Sequence, residues 1–344
     1  MSETTLYTRN GDYIPRVAAV HDLCGYGKCS LGVAIPVLSA AGCDVCPVPT
    51  GLFSSHTAFP GWYMHDTTAL LKDYLTAWKN IGVEIDAVYS GFLGAPEQVD
   101  RIRDLYAMYP AALRVVDPVM ADHGKVYPPY TPELCDAMAE LACGADILTP
   151  NLTEAAIILS EPIGDEWAGT DISDEEAHRL VDALVAKGAK HVVLKGIQRE
   201  GETCIRNFVG GLGMETVEVH NEYLPYMLHG TGDLYASCLM AAVMAGRTLE
   251  EAVRARRHDR ERQAARVPRP RRELRAPARQ GVRTAVEGRN RTTQLTCDAL
   301  GIGFPRAFLR DAPASGRGAT LPGRRSSSSP CAARNSTRCR RRPR

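Results

Sequence analysis

At 344 residues, 44% hydrophobic and 24% charged, the chain is long enough to bury a sizeable core as one large α/β domain or two smaller ones. Its net charge of +1 conceals a division: residues 1–253 hold 16 Lys+Arg against 34 Asp+Glu, whereas residues 254–344 hold 25 Arg, no Lys and six Asp+Glu. No charged-then-apolar leader opens the chain and no apolar run approaches the ~18 residues of a membrane span, so the expectation is a cytoplasmic protein, neither secreted nor membrane-inserted.

Residues 1–15 read as an N-terminal extension. From residue 16, short apolar, β-rich runs alternate with helical patterns. The first run, "RVAAV" (16–20), leads into "HDLCGYGKCS" (21–30). Gly27-Lys28 suggests a P-loop, but G-x-x-x-x-G-K-[ST] needs Gly at 22 and Ser or Thr at 29, where this chain has Asp22 and Cys29. A Walker-type nucleotide site is therefore not expected. The loop offers instead a glycine turn with Asp22 at the mouth of a sheet, suited to a small polar ligand; a plain βα turn is the alternative.

The second run, "DVCPVP" (44–49), overlaps "CDVC" (43–46), the one paired spacing among eleven scattered cysteines. On a strand Cys43 and Cys46 face opposite ways, and structural zinc would need a second Cys/His pair, so buried strand cysteines are expected. "PTGLFSSHTAF" (49–59) then sets Thr50, Thr57, His56 and two aromatics at a strand end. A small heteroaromatic ligand needs such a mixture of apolar face and hydrogen-bond partners. A lone histidine is usually structural, so the cluster says more than His56 does.

The amphipathic stretch 67–82 precedes strands at 87–92, 113–119 and 146–151, and a second such stretch, 174–189, precedes strands at 191–196 and 204–210. Strand–helix alternation of this kind predicts a mainly parallel sheet with helices on both faces, in which ligands bind where strands end and helices begin. "DPVM" (117–120) and "PNLTEA" (150–155) each close an apolar strand there. Asp117, Asn151 and Glu154 would bring carboxylates and an amide to one crevice, as a hydrated Mg²⁺ on nucleotide phosphates requires. Helix N-capping explains Asn151 equally well. Lys195, near the end of its strand, could direct an ammonium at a phosphate.

"HGTGD" (229–233) stands before a helical run, Leu234 to Ala245. The N-terminus of a buried helix carries free N–H groups and the positive end of its dipole, a ready anion site. The plainer reading is a capped turn, with Thr231 or Asp233 satisfying the first turn. After about Val253 the apolar period stops, and Arg, Pro and Ala run into a low-complexity end, "RRSSSSPCAARNSTRCRRRPR". Arginine without lysine is the vocabulary of a GC-rich gene read out of frame, and a stretch so poor in large apolar residues is expected to be disordered.

Taken in order, "AVHDLCGYGKCS", "LFSSHT", "YSGFLG", "DPVM", "PNLTEA", "VVLKG" and "HGTGD" resemble the pyridoxal kinases, the vitamin B6 branch of the ribokinase-like superfamily, over residues 16 to about 253. The resemblance implies one α/β domain, a central mostly parallel sheet flanked by helices, assembled as a homodimer. It implies ATP-dependent phosphorylation of the 5′-hydroxymethyl group of pyridoxal, pyridoxamine or pyridoxine, with Mg²⁺ and, left open, a monovalent cation. Asp233 resembles the catalytic base, and Gly230, Thr231 and Gly232 the anion hole. Asp22, Thr50, Thr57 and Phe92 match positions around the pyridine ring. Asp117, Glu154 and Lys195 match positions around ATP and Mg²⁺, with Thr149 and Asn151 close by and Tyr223 and Leu224 as a nucleotide-contacting segment. The chain departs from the family in carrying Asp22 where many members have serine, and in lacking the closing helices after Val253.

Within the same fold the rival is hydroxymethylpyrimidine kinase of thiamine synthesis, whose substrate is also a small ring with a hydroxymethyl arm. Outside it, the Arg-rich tail could bind nucleic acid through phosphate neutralisation, a reading given little weight, or the chain could be the inactive product of a disrupted gene.

Overall fold

The computed structural model describes residues 4–163, 172–223 and 229–254. Eleven strands and eight helices are formed among them. The strands are β1 (Arg16–Tyr26), β2 (Asp44–Ser55), β3 (Met64–Asp66), β4 (Ala87–Ser90), β5 (Leu113–Val116), β6 (Ala121–Asp122), β7 (Lys125–Val126), β8 (Ile147–Leu148), β9 (His191–Ile197), β10 (Cys204–Gly211) and β11 (Met214–Glu222). The helices are α1 (Leu31–Ala40), α2 (Thr68–Ile81), α3 (Pro96–Met108), α4 (Pro132–Ala142), α5 (Leu152–Leu159), α6 (Asp174–Ala186), α7 (Thr231–Met244) and α8 (Leu249–Arg254). The Arg-rich tail from residue 255, expected to be disordered, and Leu224 lie outside the described residues.

The main sheet runs β11-β10-β9-β8-β5-β4-β1-β2-β3. Its six central strands, from β9 to β2, are parallel, while β10, β11 and β3 add antiparallel edges. All four residues of β4 are buried, as expected of a parallel strand covered on both faces. One core, containing Leu38, Leu239, Met240 and Leu249, is built with α1, α7 and α8; the other, containing Leu71, Ile102, Leu134 and Leu180, with α2 to α6. Cys43 belongs to the first and Cys46 packs against the second, so the two do face opposite ways.

Local signals set several helix ends. Thr131 caps α4 ahead of Pro132, and Ser173 caps α6 ahead of three acidic residues. The segment before residue 16 is docked: Leu249 N–H donates to Thr4 O at 3.0 Å, and Leu6 and Tyr7 pack against the α1/α7/α8 core.

Several boundaries differ from expectation. The strands expected at 87–92, 113–119 and 146–151 end earlier, at Ser90, Val116 and Leu148, so Asp117, Thr149 and Asn151 follow their strands instead of closing them. β1 continues to Tyr26, because parallel pairing with β2 resumes after an irregularity between His21 and Leu23. β2 likewise runs to Ser55, so Asp22 and Thr50 are strand residues, not loop residues. α7 begins at Thr231, three residues early, which makes Thr231, Gly232 and Asp233 its first turn.

Candidate active site

The parallel strands deliver the predicted polar residues to one edge. Asp117 follows β5 and Thr149 follows β8, while Lys195 lies near the end of β9, three strands that are neighbours in the sheet. Thr149 Oγ1 donates to Asp117 Oδ1 at 2.9 Å, and Lys195 Nζ donates to the same oxygen. Lys195 Nζ also stands 3.8 Å from Glu154 Oε2. Burial opposes the charge on Lys195, but Asp117 and Glu154 outweigh it and hold the ammonium above its ordinary pKa. Glu154 is pushed upward by burial, with Lys195 working against that rise.

Asn151 and Glu154 form a capping box on α5. Asn151 Oδ1 accepts from Glu154 N–H at 2.9 Å and Glu154 Oε2 accepts from Asn151 N–H at 2.8 Å. Asn151 Nδ2 donates to Ala121 O at 2.8 Å, so the capping reading accounts for its side chain. Glu154 Oε1 accepts from Met120 N–H at 3.4 Å. Both Glu154 oxygens are thus engaged, and Asp117 Oδ2 is buried without a hydrogen-bond partner among the described residues. This hard-oxygen set fits a hydrated Mg²⁺, which keeps several waters and takes one or two carboxylates; Asp117 and Glu154 are the residues that would hold it.

The "HGTGD" turn closes the other side. Gly230 holds φ 76°, and a Cβ there would stand 2.0 Å from the carbonyl oxygen of Lys28, so only glycine lets α7 start this close to the end of β1. Among the described residues no side chain caps α7, so its first N–H groups can meet a ligand. A Cβ at Gly232 would meet no atom of the described residues within 4 Å. Asp233 is buried, and its Oδ1 has no hydrogen-bond partner among the described residues. Burial raises its pKa to about 7; the Ser30 backbone opposes the rise and the Asp117 and Asp22 carboxylates add to it.

The residues expected around a ring divide. Asp22 is buried on β1, with its pKa raised by burial against hydrogen bonds from Ser30 and Cys24. Thr50 Oγ1 donates to Phe92 O at 2.8 Å and is fully buried, and Phe92 packs edge-on to Phe53 and Tyr130. Both therefore shape the wall from within. Thr57 sits half-buried in the turn after β2, beside His56, whose ring stacks on His229 at 4.4 Å and so ties that turn to the start of α7. Tyr223 directly follows β11, its N–H donating to Thr203 O at 2.9 Å.

Three further residues escaped sequence reasoning. Ser30, a buried N-cap at φ 48°, has a backbone only the fold reveals. His21 is fully buried, lies edge-on to Tyr89 with centroids 4.4 Å apart, and is driven by burial to a pKa of about 4, against the pull of Asp117. Tyr89 faces Ser237 of α7 across 3.5 Å. A histidine flanking an apolar strand and a tyrosine within one carry no distinguishing pattern.

Residues 37–258 match the phosphomethylpyrimidine kinase family. The pyridoxine/pyridoxal/pyridoxamine kinase of Bordetella avium is 31% identical over 257 residues, 70% of this chain and 81% of that protein. Pyridoxal kinase PdxY of Haemophilus influenzae (strain PittEE) is 35% identical over 171 residues, 47% of this chain; the chain spans 56% of that relative's length. Among solved structures, a Bacteroides thetaiotaomicron protein described as a phosphomethylpyrimidine kinase and crystallised with pyridoxal is 35% identical, with a TM-score of 0.66 over 71% of this chain and 85% of that one. With the mostly parallel sheet flanked by helices and the ordered motifs at its carboxyl edge, the chain belongs to the phosphomethylpyrimidine/pyridoxal kinase family of the ribokinase-like fold.

Proposed function

We propose that the chain phosphorylates the 5′-hydroxymethyl group of a B6 vitamer with ATP. The observation that carries this reading is Asp233: a buried carboxyl with a pKa near 7 and an oxygen unpartnered among the described residues, two residues beyond the start of α7, where no described side chain caps the helix. Phosphoryl transfer needs little covalent help from protein. It needs donors aimed at the phosphoryl oxygens and a group to take the hydroxyl proton. The N–H groups at Thr231, Gly232 and Gly230 supply the first, and Asp233 the second. The substrate oxygen bonds to the γ-phosphorus, the bond to the ADP oxygen breaks, and the hydroxyl proton passes to Asp233.

Asp117 and Glu154 hold the Mg²⁺ of the nucleotide, which neutralises phosphate charge when bound. Lys195 pairs with Asp117 and is placed to turn its ammonium to a phosphate. Thr149, Asn151, Tyr223 and Leu224 complete the nucleotide side; Asp22, Thr50, Thr57 and Phe92 complete the ring side. Cytoplasmic residence and a homodimer belong to the same reading.

The family match favours one second reading, a hydroxymethylpyrimidine kinase. Both substrates present a hydroxymethyl arm on a small heteroaromatic ring. ADP release measured with pyridoxal and with hydroxymethylpyrimidine separates them: faster turnover of pyridoxal supports the first reading, and turnover of the pyrimidine alone overturns it. We further infer that residues 16–253 form the kinase domain and that residues 254–344 derive from an out-of-frame stretch of the gene, the family match ending at residue 258.

A further inference from the structure

A second cluster joins Asp22, whose charge acts on Asp233, to two cysteines that phosphoryl transfer does not use. Asp22, Cys24 and Cys29 each bring one ligand atom within 4.8 Å of the other two. The Cys24 thiol donates to Asp22 Oδ2 at 3.4 Å and is hydrogen-bonded to Cys29 as well. Cys29 is buried, Cys24 half-buried, and both thiols are free. The end of β1 and the turn after it bring two cysteines five residues apart back together, immediately before the N-cap Ser30 of α1.

Two sulfurs and one carboxylate oxygen form a soft donor set. Mg²⁺ prefers all-oxygen surroundings, so this cluster is chemically distinct from Asp117 and Glu154. Zinc takes sulfur at about 2.3 Å and carboxylate oxygen at about 2.0–2.2 Å in a tetrahedron, which places its ligand atoms roughly 3.5–3.8 Å apart. Atoms already within 4.8 Å reach that spacing by closing about 1 Å, a rotamer adjustment in a glycine-containing turn. Three protein ligands leave a fourth position open, the arrangement of sites that exchange water or a small molecule rather than of closed structural zinc sites.

We propose that Asp22, Cys24 and Cys29 bind a zinc-class cation and that its binding withdraws Asp22 from the ring side of the active site. The first half stands on the cluster alone; the second rests on the placement of the vitamer beside Asp22.

The test uses the reduced full chain, free of nucleotide and Mg²⁺, titrated anaerobically with Co²⁺ as a spectroscopic probe and then with Zn²⁺. The expected result is a thiolate-to-cobalt charge-transfer band saturating at one equivalent and abolished by Zn²⁺. Cys24→Ser and Cys29→Ser should each weaken binding at least tenfold without changing the circular dichroism of the fold. No charge-transfer band, or a band of undiminished strength in both variants, overturns the site. In the second arm, pyridoxal binding is measured with and without saturating Zn²⁺. At least tenfold weaker binding in the wild type, absent in the Cys24→Ser/Cys29→Ser double variant, supports the withdrawal of Asp22. A cobalt site with the thiolate signature but unchanged pyridoxal affinity upholds the cation site and overturns the placement of the ring.

Discussion

The backbone of Ser30, held at φ 48° where α1 begins, lowers the pKa of the Asp233 carboxyl at the start of α7. The starts of α1 and α7 thus converge on one carboxyl. A non-glycine residue at positive φ costs about 1–3 kcal/mol and persists only where its surroundings hold it. Here the Ser30 backbone favours the ionised form of a carboxyl whose Oδ1 has no hydrogen-bond partner among the described residues.

Asp233→Asn keeps the shape of that position and removes the base. Turnover should fall by at least ~10², while nucleotide binding changes little. Steady-state kinetics and a nucleotide titration check this, and near-normal turnover would refute the assigned role.

The same carboxyl sets a pH dependence. Its folded-state pKa of about 7 lies above the unfolded value, so the base of the free enzyme is ionised only as pH rises through about 7, and kcat/KM should climb over that range. For stability the sign is opposite: a raised carboxyl pKa favours the fold at low pH, and that contribution is lost as pH rises through about 7. Asp233→Asn should therefore raise Tm at pH 8 relative to wild type. Each kcal/mol corresponds to about 2–4 °C for a domain of this size. Thermal melts at pH 5 and pH 8 decide it; an equal or lower Tm for the variant at pH 8 would show that the carboxylate is not destabilised by burial.

Gly230 and Gly232 should separate folding from binding. Gly230→Ala puts a Cβ against the Lys28 carbonyl in a left-handed conformation, a loss of about 1–3 kcal/mol from the backbone alone before the clash is added. A Cβ at Gly232 meets no atom of the described residues within 4 Å, so in Gly232→Val Tm should hold while the affinity for ATP and the rate both fall at least tenfold. Melting curves and kinetics on both variants test the contrast, and wild-type kinetics for Gly232→Val would make that glycine an ordinary helix residue.

Lys195→Met strands the Asp117 carboxyl, which among the described residues keeps Thr149 as its one hydrogen-bonding side chain. Removing one partner of a buried pair costs about 3–5 kcal/mol. Denaturant unfolding should show a loss of that order, and a loss below about 1 kcal/mol would mean that solvent reaches Asp117 freely.

Sequence periodicity located the parallel strands and helices α2, α6 and α7, because each buries an unbroken or evenly spaced apolar face, but it did not pick out α3, which is as long as α6. It placed Asp117, Thr149, Glu154, Lys195 and Asp233 at strand ends or a helix start, where the structure brings them together. What it could not show arises from chain reversal and pairing register. β1 and β2 outrun their apolar runs, because backbone pairing needs no hydrophobic side chain, and this turned Asp22 and Thr50 from loop residues into strand residues. The Asp22–Cys24–Cys29 cluster depends on a turn that folds back on the strand before it, and Ser30 on a backbone angle that serine does not advertise.

The charge division near residue 253 makes a prediction about the gene. Resequencing across codons 253–258 should reveal an inserted or missing base whose correction replaces the arginine-rich stretch with further amphipathic helix. A confirmed reading frame would make residues 254–344 native protein and overturn the out-of-frame reading.

The most direct measurement is identification of the product. The full chain is incubated with pyridoxal, ATP and Mg²⁺, and the products are resolved by phosphorus NMR and mass spectrometry, with Asp233→Asn in parallel. The site described above predicts pyridoxal 5′-phosphate and ADP in equal amounts from the wild type, and at least ~10² less from the variant. ADP without phosphorylated vitamer, or equal yields from the two proteins, would contradict it.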